Sequence, residues 1–380
     1  MAKRLLIIQP YVPSYRVPLF RNMKELLSGI GVELAIAAPL ASGHDSSRND
    51  DETAIFADFV LEKHQVKIGK KSFFKKDLHN VLNTFDPDMV IVEQAIKNLE
   101  AWSLALRPKF RNKPKVAMWG QGRSYSSTQS NVEAAMKQWL TKRMDWFFSY
   151  TQSGAQPVIE HGFPQNRVTI LNNSTDTFSL QKAISLISAG ELESYLQGHG
   201  LTRGAVGLFL GGIDERKGVP FLLDAAQEIV KTCPEFKLLV AGDGSLAGEV
   251  RGLQERGGPV VYLGRADGNE KAIALCAADL LLIPEWVGLV AVDSLAARVP
   301  IVTTEHPSHS PEAEYLTKGK NALFVEHNVR VFADSVTRLL GDRTELERLS
   351  GNCEILEYEL SIESMANRFV AGIKAWSEIA

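Results

Sequence analysis

Two carboxylates stand close together in the stretch Pro284 to Thr304, PEWVGLVAVDSLAARVPIVTT: Glu285 just ahead of a predicted helix and Asp293 inside it. Carboxylates accept hydrogen bonds from paired hydroxyls such as those of ribose or a hexose. Between the acids, Gly288-Leu289-Val290 opens the helix directly after a strand, so the first backbone N–H groups and the positive end of the helix dipole can face a diphosphate. Acid, helix start and acid together suit a sugar nucleotide. A solvated glutamate before a helix and a surface aspartate within it would give the same spacing.

A second group lies upstream. After the apolar run AVGLFLGG comes IDERKGV, which puts Arg216 and Lys217 in a strand-to-helix turn with Gly211, Gly212 and Gly218. Glycines let backbone approach a phosphate, the cations offset its charge, and the following helix points its N-terminus the same way. A solvated basic turn is the plainer alternative. A further turn, AGDGS, supplies Gly242 and Gly244 after another strand and is a candidate wall of a nucleotide pocket. No GxGxxG follows a strand and no Walker lysine pattern occurs, which disfavours dinucleotide and P-loop enzymes. HExxH and CxxC are absent too, so the sequence demands no metal. In EHPSHSPEAEYL, His306, His309 and Glu314 could reach a ligand or cap the loop.

These groups need strands to hold them. RLLIIQP, VELAIAAP, MVIVEQ, KVAMWG, WFFSY and VTILNN alternate with amphipathic segments over the first 175 or so residues, the pattern of a parallel α/β sheet. AVGLFLGG, FKLLVAGDG, VVYLG, LLLIPE, IVTT and NALFV form a second such series. The expected organisation is a first doubly wound domain over 1–176, a linker over 177–204 and a second over 205–360. A terminal helix over 361–380 would cross back to the first domain. The two sheets would face each other across a cleft, with ligands beyond the C-terminal strand ends. The polar run ASGHDSSRNDDE, Ala41 to Glu52, reads as a mobile loop.

Composition agrees with two ordinary globular domains. The 380 residues are 45% hydrophobic and 23% charged, and the net charge of -3 argues against broad nucleic-acid binding. The N-terminal MAKRLLIIQPYVPSYR reads as a first buried strand rather than a signal peptide. No apolar stretch reaches membrane-spanning length. Cys233, Cys276 and Cys353 are scattered without ligand spacing and read as free thiols of a reducing cytoplasm.

The second half resembles glycosyltransferase family 4, and the resemblance extends over nearly the whole chain. LFLGGIDERKGVPFLLDA is similar to the family's Gly-Arg-Leu…Lys-Gly phosphate turn, AGDGS to its GDGP turn, PEWVGLVAVDS to its paired-acid motif and EAEYLTKGKNALFV to its Glu…Gly…Asn-Gly-Leu segment. In the first half, ILNNSTDT resembles the Asn-Gly-Val-Asp element before the hinge, and MWGQG the WGHG turn. The resemblance implies the GT-B fold, two Rossmann-like domains, and transfer of a sugar from a nucleotide donor with retention. It implies that Lys217 binds the donor diphosphate, Glu285 holds the transferred sugar and Asp293 grips the ribose. Backbone amides of Gly288 and Leu289 would bind the distal phosphate, and Gln121 would approach the sugar. Three positions depart from the pattern: Gly212 replaces the phosphate arginine, Gln121 a histidine and Asp293 a glutamate. Arg216 is placed to supply the missing cation. Lys217, Arg216 and the helix amides would then stabilise leaving-group charge without a metal.

On the acceptor side, QPYVPSYRVPLF supplies Tyr11, Tyr15 and Arg16 after the first strand. The run KHQVKIGKKSFFKK carries Lys63, Lys67, Lys70, Lys71, Lys75 and Lys76 with Phe73 and Phe74, which suits an anionic membrane surface or a solvated helix start. The expectation is a cytoplasmic retaining glycosyltransferase, peripheral at the inner face of the plasma membrane. It would use a UDP- or GDP-sugar and a saccharide or lipid-linked acceptor in surface polysaccharide or glycolipid assembly. A GT-B sugar-nucleotide epimerase or hydrolase is one alternative, and a catalytically weak sugar-nucleotide-binding protein another.

Overall fold

The computed structural model describes residues 2–43, 45–68, 71–106, 114–122, 130–307, 309–354 and 359–379. The chain folds as two compact units. The first holds Met1–Ser46, Asp50–Asn173 and Ile362–Ala380, and the second holds Ser47–Asn49 and Ser174–Ser361.

The first unit is built on β1 (Lys3–Ile8), β2 (Val32–Ala38), β3 (Phe59–Val60), an antiparallel ribbon of β4 (Lys63–Ile68) and β5 (Lys71–Lys76), then β6 (Met89–Glu93), β7 (Lys115–Gly120), β8 (Trp146–Ser149) and β9 (Val168–Ile170). Seven of these form a parallel sheet in the order β3-β2-β1-β6-β7-β8-β9. Side chains alternate across a strand, so β1 feeds two cores at once: Leu5 and Ile7 pack on one face, Leu6 and Ile8 on the other. That double burial explains the unbroken apolar run. The helix Ile362–Glu378 completes the first core with Phe369, Ile373 and Trp376, all fully buried. Phe369 meets Trp119 and Phe148 at ring-centroid distances of 4.9 Å. Gly372 allows the close approach, since a Cβ there would lie 2.4 Å from Thr169 Oγ1.

Two stretches singled out in the sequence take definite form here. The polar run 41–52 is tied at its ends: Asp51 accepts from the Ala41 and Thr53 N–H groups, and the Ser14 and Glu52 N–H groups donate to the Asp50 and Val12 carbonyls beside a Pro13–Asp51 bridge, while His44 lies outside the described residues. The run KHQVKIGKKSFFKK is the β4–β5 ribbon, not a helix start, with Gln65 opposite Phe74 and Val66 opposite Phe73. Lys76 leaves the membrane-facing set, because it is 3% exposed and its Nζ donates to Glu100 Oε1 at 2.5 Å. Lys67 and Lys75 are exposed, whereas Lys70 lies outside the described residues.

The second unit has β10 (Val206–Leu210), β11 (Lys237–Ala241), β12 (Val260–Gly264), β13 (Leu280–Leu282), β14 (Ile301–Thr304) and β15 (Ala322–Val325). They form one parallel sheet in the order β12-β11-β10-β13-β14-β15. Residues 177–204 fold as the helices Thr177–Leu186 and Ala189–Gly198, with Leu180 and Leu196 in this unit's core. The strand order reverses between β10 and β13, which opens a crevice beyond their C-terminal ends. All twelve apolar runs read from the sequence are strands, and both sheets are doubly wound. Among the described residues no helix is long and apolar enough to cross a membrane.

Candidate functional site

The turn after β10 and the segment after β13 meet at that reversal point. Asp214 ends the strand exit by accepting from the Lys217 N–H at 3.1 Å, and Gly218, at φ 67°, passes the chain into the helix Val219–Ile229. Gly218 also makes room, since a Cβ there would lie 3.0 Å from Glu285 Cδ. The Lys217 side chain reaches back across the turn and its Nζ donates to the Trp286 carbonyl at 2.8 Å. A Cβ at Gly288 would sit 3.7 Å from that Nζ, and one at Gly211 3.8 Å. The ammonium is thus seated among glycines at the start of the helix Val290–Ala297. Burial, followed by the charge of Arg216, pushes the Lys217 pKa down to about 8. An arriving anion would reverse that shift and restore the full charge.

Arg216 lies on the other side of the same segment. Its guanidinium stands 4.6 Å above the Trp286 ring and 3.7 Å from Asp214 Oδ2. Trp286 holds φ at 47°, the left-handed region that costs a bulky residue energy, so the surrounding bonds must hold it there. His309 is one of those bonds. Its Nδ1 accepts from the Val287 N–H at 3.1 Å and its Nε2 donates to the Thr304 carbonyl at 2.8 Å, which requires a neutral ring. Burial lowers its pKa in the same sense. Of the loop residues singled out in the sequence, His309 is therefore a brace, Glu314 is exposed, and His306 turns toward Glu285 at 3.9 Å.

Glu285 is drawn to a residue that sequence reasoning passed over. His327 Nε2 lies 2.8 Å from Glu285 Oε1, and the His327 ring packs on Phe221 at 4.8 Å. Asp293 is 6% exposed and holds Lys271 Nζ at 2.7 Å and Thr175 Oγ1 at 3.3 Å. Lys271 was equally missed, because its partner is 22 residues on and belongs to another helix. Gly212 stands near the Asp214 carboxylate, with 3.6 Å left for a Cβ. Gly242 and Gly244 serve the packing of two turns on each other: a Cβ at Gly242, φ 147°, would lie 1.8 Å from the Gly211 carbonyl.

In the first unit, Gln121 follows β7 and is half-buried, its carbonyl 2.7 Å from where a Cβ of Gly154 would stand. Arg16 is 4% exposed, with its guanidinium 4.9 Å from the Trp119 ring and 5.7 Å from that of Tyr150. Tyr11 is buried and Tyr15 remains exposed.

Comparison with known proteins gives this geometry a context. The family model described as "Glycosyl transferases group 1" matches residues 204–342. The phosphatidyl-myo-inositol mannosyltransferase of Mycobacterium tuberculosis is 35% identical over 127 residues, and the alpha-D-kanosaminyltransferase of Streptomyces kanamyceticus 26% over 184. These matches span 32% and 46% of each chain, so the chain aligns with about a third to a half of the length of these relatives. Among solved structures, Anabaena HepE in complex with UDP-glucose superposes with a TM-score of 0.72 at 14% identity, covering 98% of this chain and 99% of that one. The sucrose-phosphate synthase of Thermosynechococcus elongatus follows at 0.70 and 15%, covering 98% of both. The superpositions establish the fold, which is GT-B, and the match to the family model falls within the second unit.

Proposed function

We propose that the protein is a retaining glycosyltransferase that moves a sugar from a UDP- or GDP-linked donor to a saccharide or lipid-linked saccharide, in surface polysaccharide or glycolipid assembly. The observation that carries this reading is the Lys217 ammonium, held among Gly211, Gly288 and the Trp286 carbonyl at the start of the helix Val290–Ala297. A diphosphate seated there would meet a cation and the first N–H groups of a helix. Glu285, on the adjoining backbone, would accept from sugar hydroxyls, and Asp293 with Lys271 would face the ribose. Negative charge develops on the nucleotide diphosphate as the glycosidic bond breaks. Lys217, Arg216 and the helix amides stabilise that charge without requiring a metal.

The acceptor class draws support from the mycobacterial relative, named for a lipid substrate, and from Lys67 and Lys75 on the β4–β5 ribbon. The deciding experiment is calorimetric titration with UDP, GDP, ADP and their sugar conjugates in the absence of added metal. Selective binding of one nucleotide names the donor. Nucleotide release that needs an acceptor separates a transferase from an epimerase or hydrolase, and binding without turnover marks a sugar-nucleotide-binding protein. A Lys217→Ala variant that binds UDP or GDP as the parent does would remove the phosphate assignment.

A further inference from the structure

Three strands that lie side by side in the second sheet each deliver a metal-binding side chain two or three residues beyond their C-terminal ends. Glu285 follows β13, His306 follows β14 and His327 follows β15. Register brings the histidines together. Ile301 pairs with Ala322 and Thr304 with Val325, and the same offset carried past the strand ends sets His306 beside His327, their ring centroids 5.0 Å apart. Glu305 continues the ladder by donating its N–H to the Val325 carbonyl at 2.7 Å, so the alignment is held up to the residue before His306. Glu285 closes the triangle: Oε1 is 2.8 Å from His327 Nε2 and Oε2 is 3.9 Å from His306 Nε2. One ligand atom from each residue lies within 4.8 Å of the other two.

Two imidazole nitrogens and one carboxylate oxygen form a donor set that favours zinc and its neighbours over magnesium or calcium. Ligand bonds of about 2.0–2.1 Å at tetrahedral angles put donor atoms roughly 3.3 Å apart, so the three ligand atoms, which lie within 4.8 Å of one another, would close on an ion by side-chain rotation. Three protein ligands leave a fourth position for water. His327 is oriented by its packing on Phe221, and both histidines remain partly exposed, which gives an ion access. The ligands stand on strand ends rather than on one flexible loop.

We propose that Glu285, His306 and His327 form a reversible site for a divalent zinc-type cation, and that occupancy withdraws the Glu285 carboxylate from the sugar of the donor. The binding site stands by itself, whereas the inhibitory consequence rests on the glycosyl-transfer reading.

The test begins with the full chain alone, titrated with ZnCl2 by calorimetry and with CoCl2 by visible absorption. One equivalent should bind, with the cobalt bands of a nitrogen and oxygen site and no thiolate charge transfer. His306→Gln and His327→Gln should each weaken zinc binding by at least roughly tenfold, since even the loss of a residue supporting a ligand costs that much. Circular dichroism of both variants without metal checks that they fold. No stoichiometric binding, or parental affinity in both folded variants, overturns the site. The second step titrates UDP-sugar and plain UDP with and without ZnCl2. Zinc should weaken the sugar conjugate and spare UDP; equal affinity for the conjugate with and without zinc overturns the withdrawal of Glu285. If no nucleotide binds at all, the transfer reading fails while the metal titration still decides the site.

Discussion

Each unit takes a lysine out of open solvent, Lys76 fully and Lys217 in part, and the two lysines are held by opposite means. In the first unit Lys76 donates to the Glu100 carboxylate, with both side chains 2% exposed and Glu93 close by, its pKa raised by burial. In the second unit Lys217 has a neutral carbonyl as its near acceptor and a cation, Arg216, as a neighbour. A buried charge is costly unless an opposite charge compensates it. Lys76 has that compensation within the chain and acts as a strut between β5 and the helix Leu99–Ala105. Lys217 is only half provided for, which is the condition expected of a group whose full partner is an anionic ligand. The charge is the same at the two sites, and the identity of the acceptor, more than the depth of burial, separates them.

That contrast is broken most forcefully at the strut. Lys76→Met leaves Glu100 buried without a counter-ion, and Glu100 Oε2 already lacks a hydrogen-bond partner among the described residues. The loss should be about 3–5 kcal/mol in denaturant unfolding, with Lys76→Met/Glu100→Leu recovering most of it. A double variant no better than the single would show that Lys76 serves something other than this pair. At the other lysine the signs invert. Lys217→Met should leave unfolding nearly unchanged yet weaken nucleotide binding by about 1.5–3 kcal/mol, the usual worth of a hydrogen bond to a charged group. Equal damage to stability at both lysines would erase the distinction drawn here.

Titration gives a milder probe of the same contrast. A diphosphate favours the protonated form of Lys217, so binding takes up a proton; affinity is full below the free-state pKa of about 8 and falls as pH rises through it. Between pH 7 and pH 9 the calorimetric affinity should drop roughly tenfold, and Lys217→Arg should flatten that slope because its charge does not titrate. The smallest effect belongs to Trp286. Trp286→Ala removes the ring beneath Arg216 and should weaken nucleotide binding by about 0.5–1 kcal/mol, read by the same titration. An unchanged affinity would show that Arg216 needs no support from that ring.

Much of the fold was legible because parallel strands buried on two faces read as unbroken apolar runs: Leu5 to Ile8 must be apolar throughout, since alternate residues feed different cores. The ribbon β4–β5 was not legible. Its lysines and phenylalanines carry no continuous apolar signal, and its pairing depends on cross-strand neighbours such as Val66 and Phe73. The site divides in the same way. Lys217 and its glycines form a local turn whose function depends on nearby residues, so the spacing Gly211 to Gly218 already says that backbone and cation share a small space. Glu285 and its helix start are local in the same sense.

What the amino-acid order determined by itself was therefore the twelve apolar strands, the anion-suited turn and the carboxylate beside a helix start, all features of local spacing. Only the tertiary structure decided that Lys271 pairs with Asp293, that Lys76 is a strut, and that His306 and His327 close on Glu285. Those partners come from separate elements, and their meeting depends on parallel register and helix packing. Strand order and register arise from the burial of whole faces, and no local spacing encodes them.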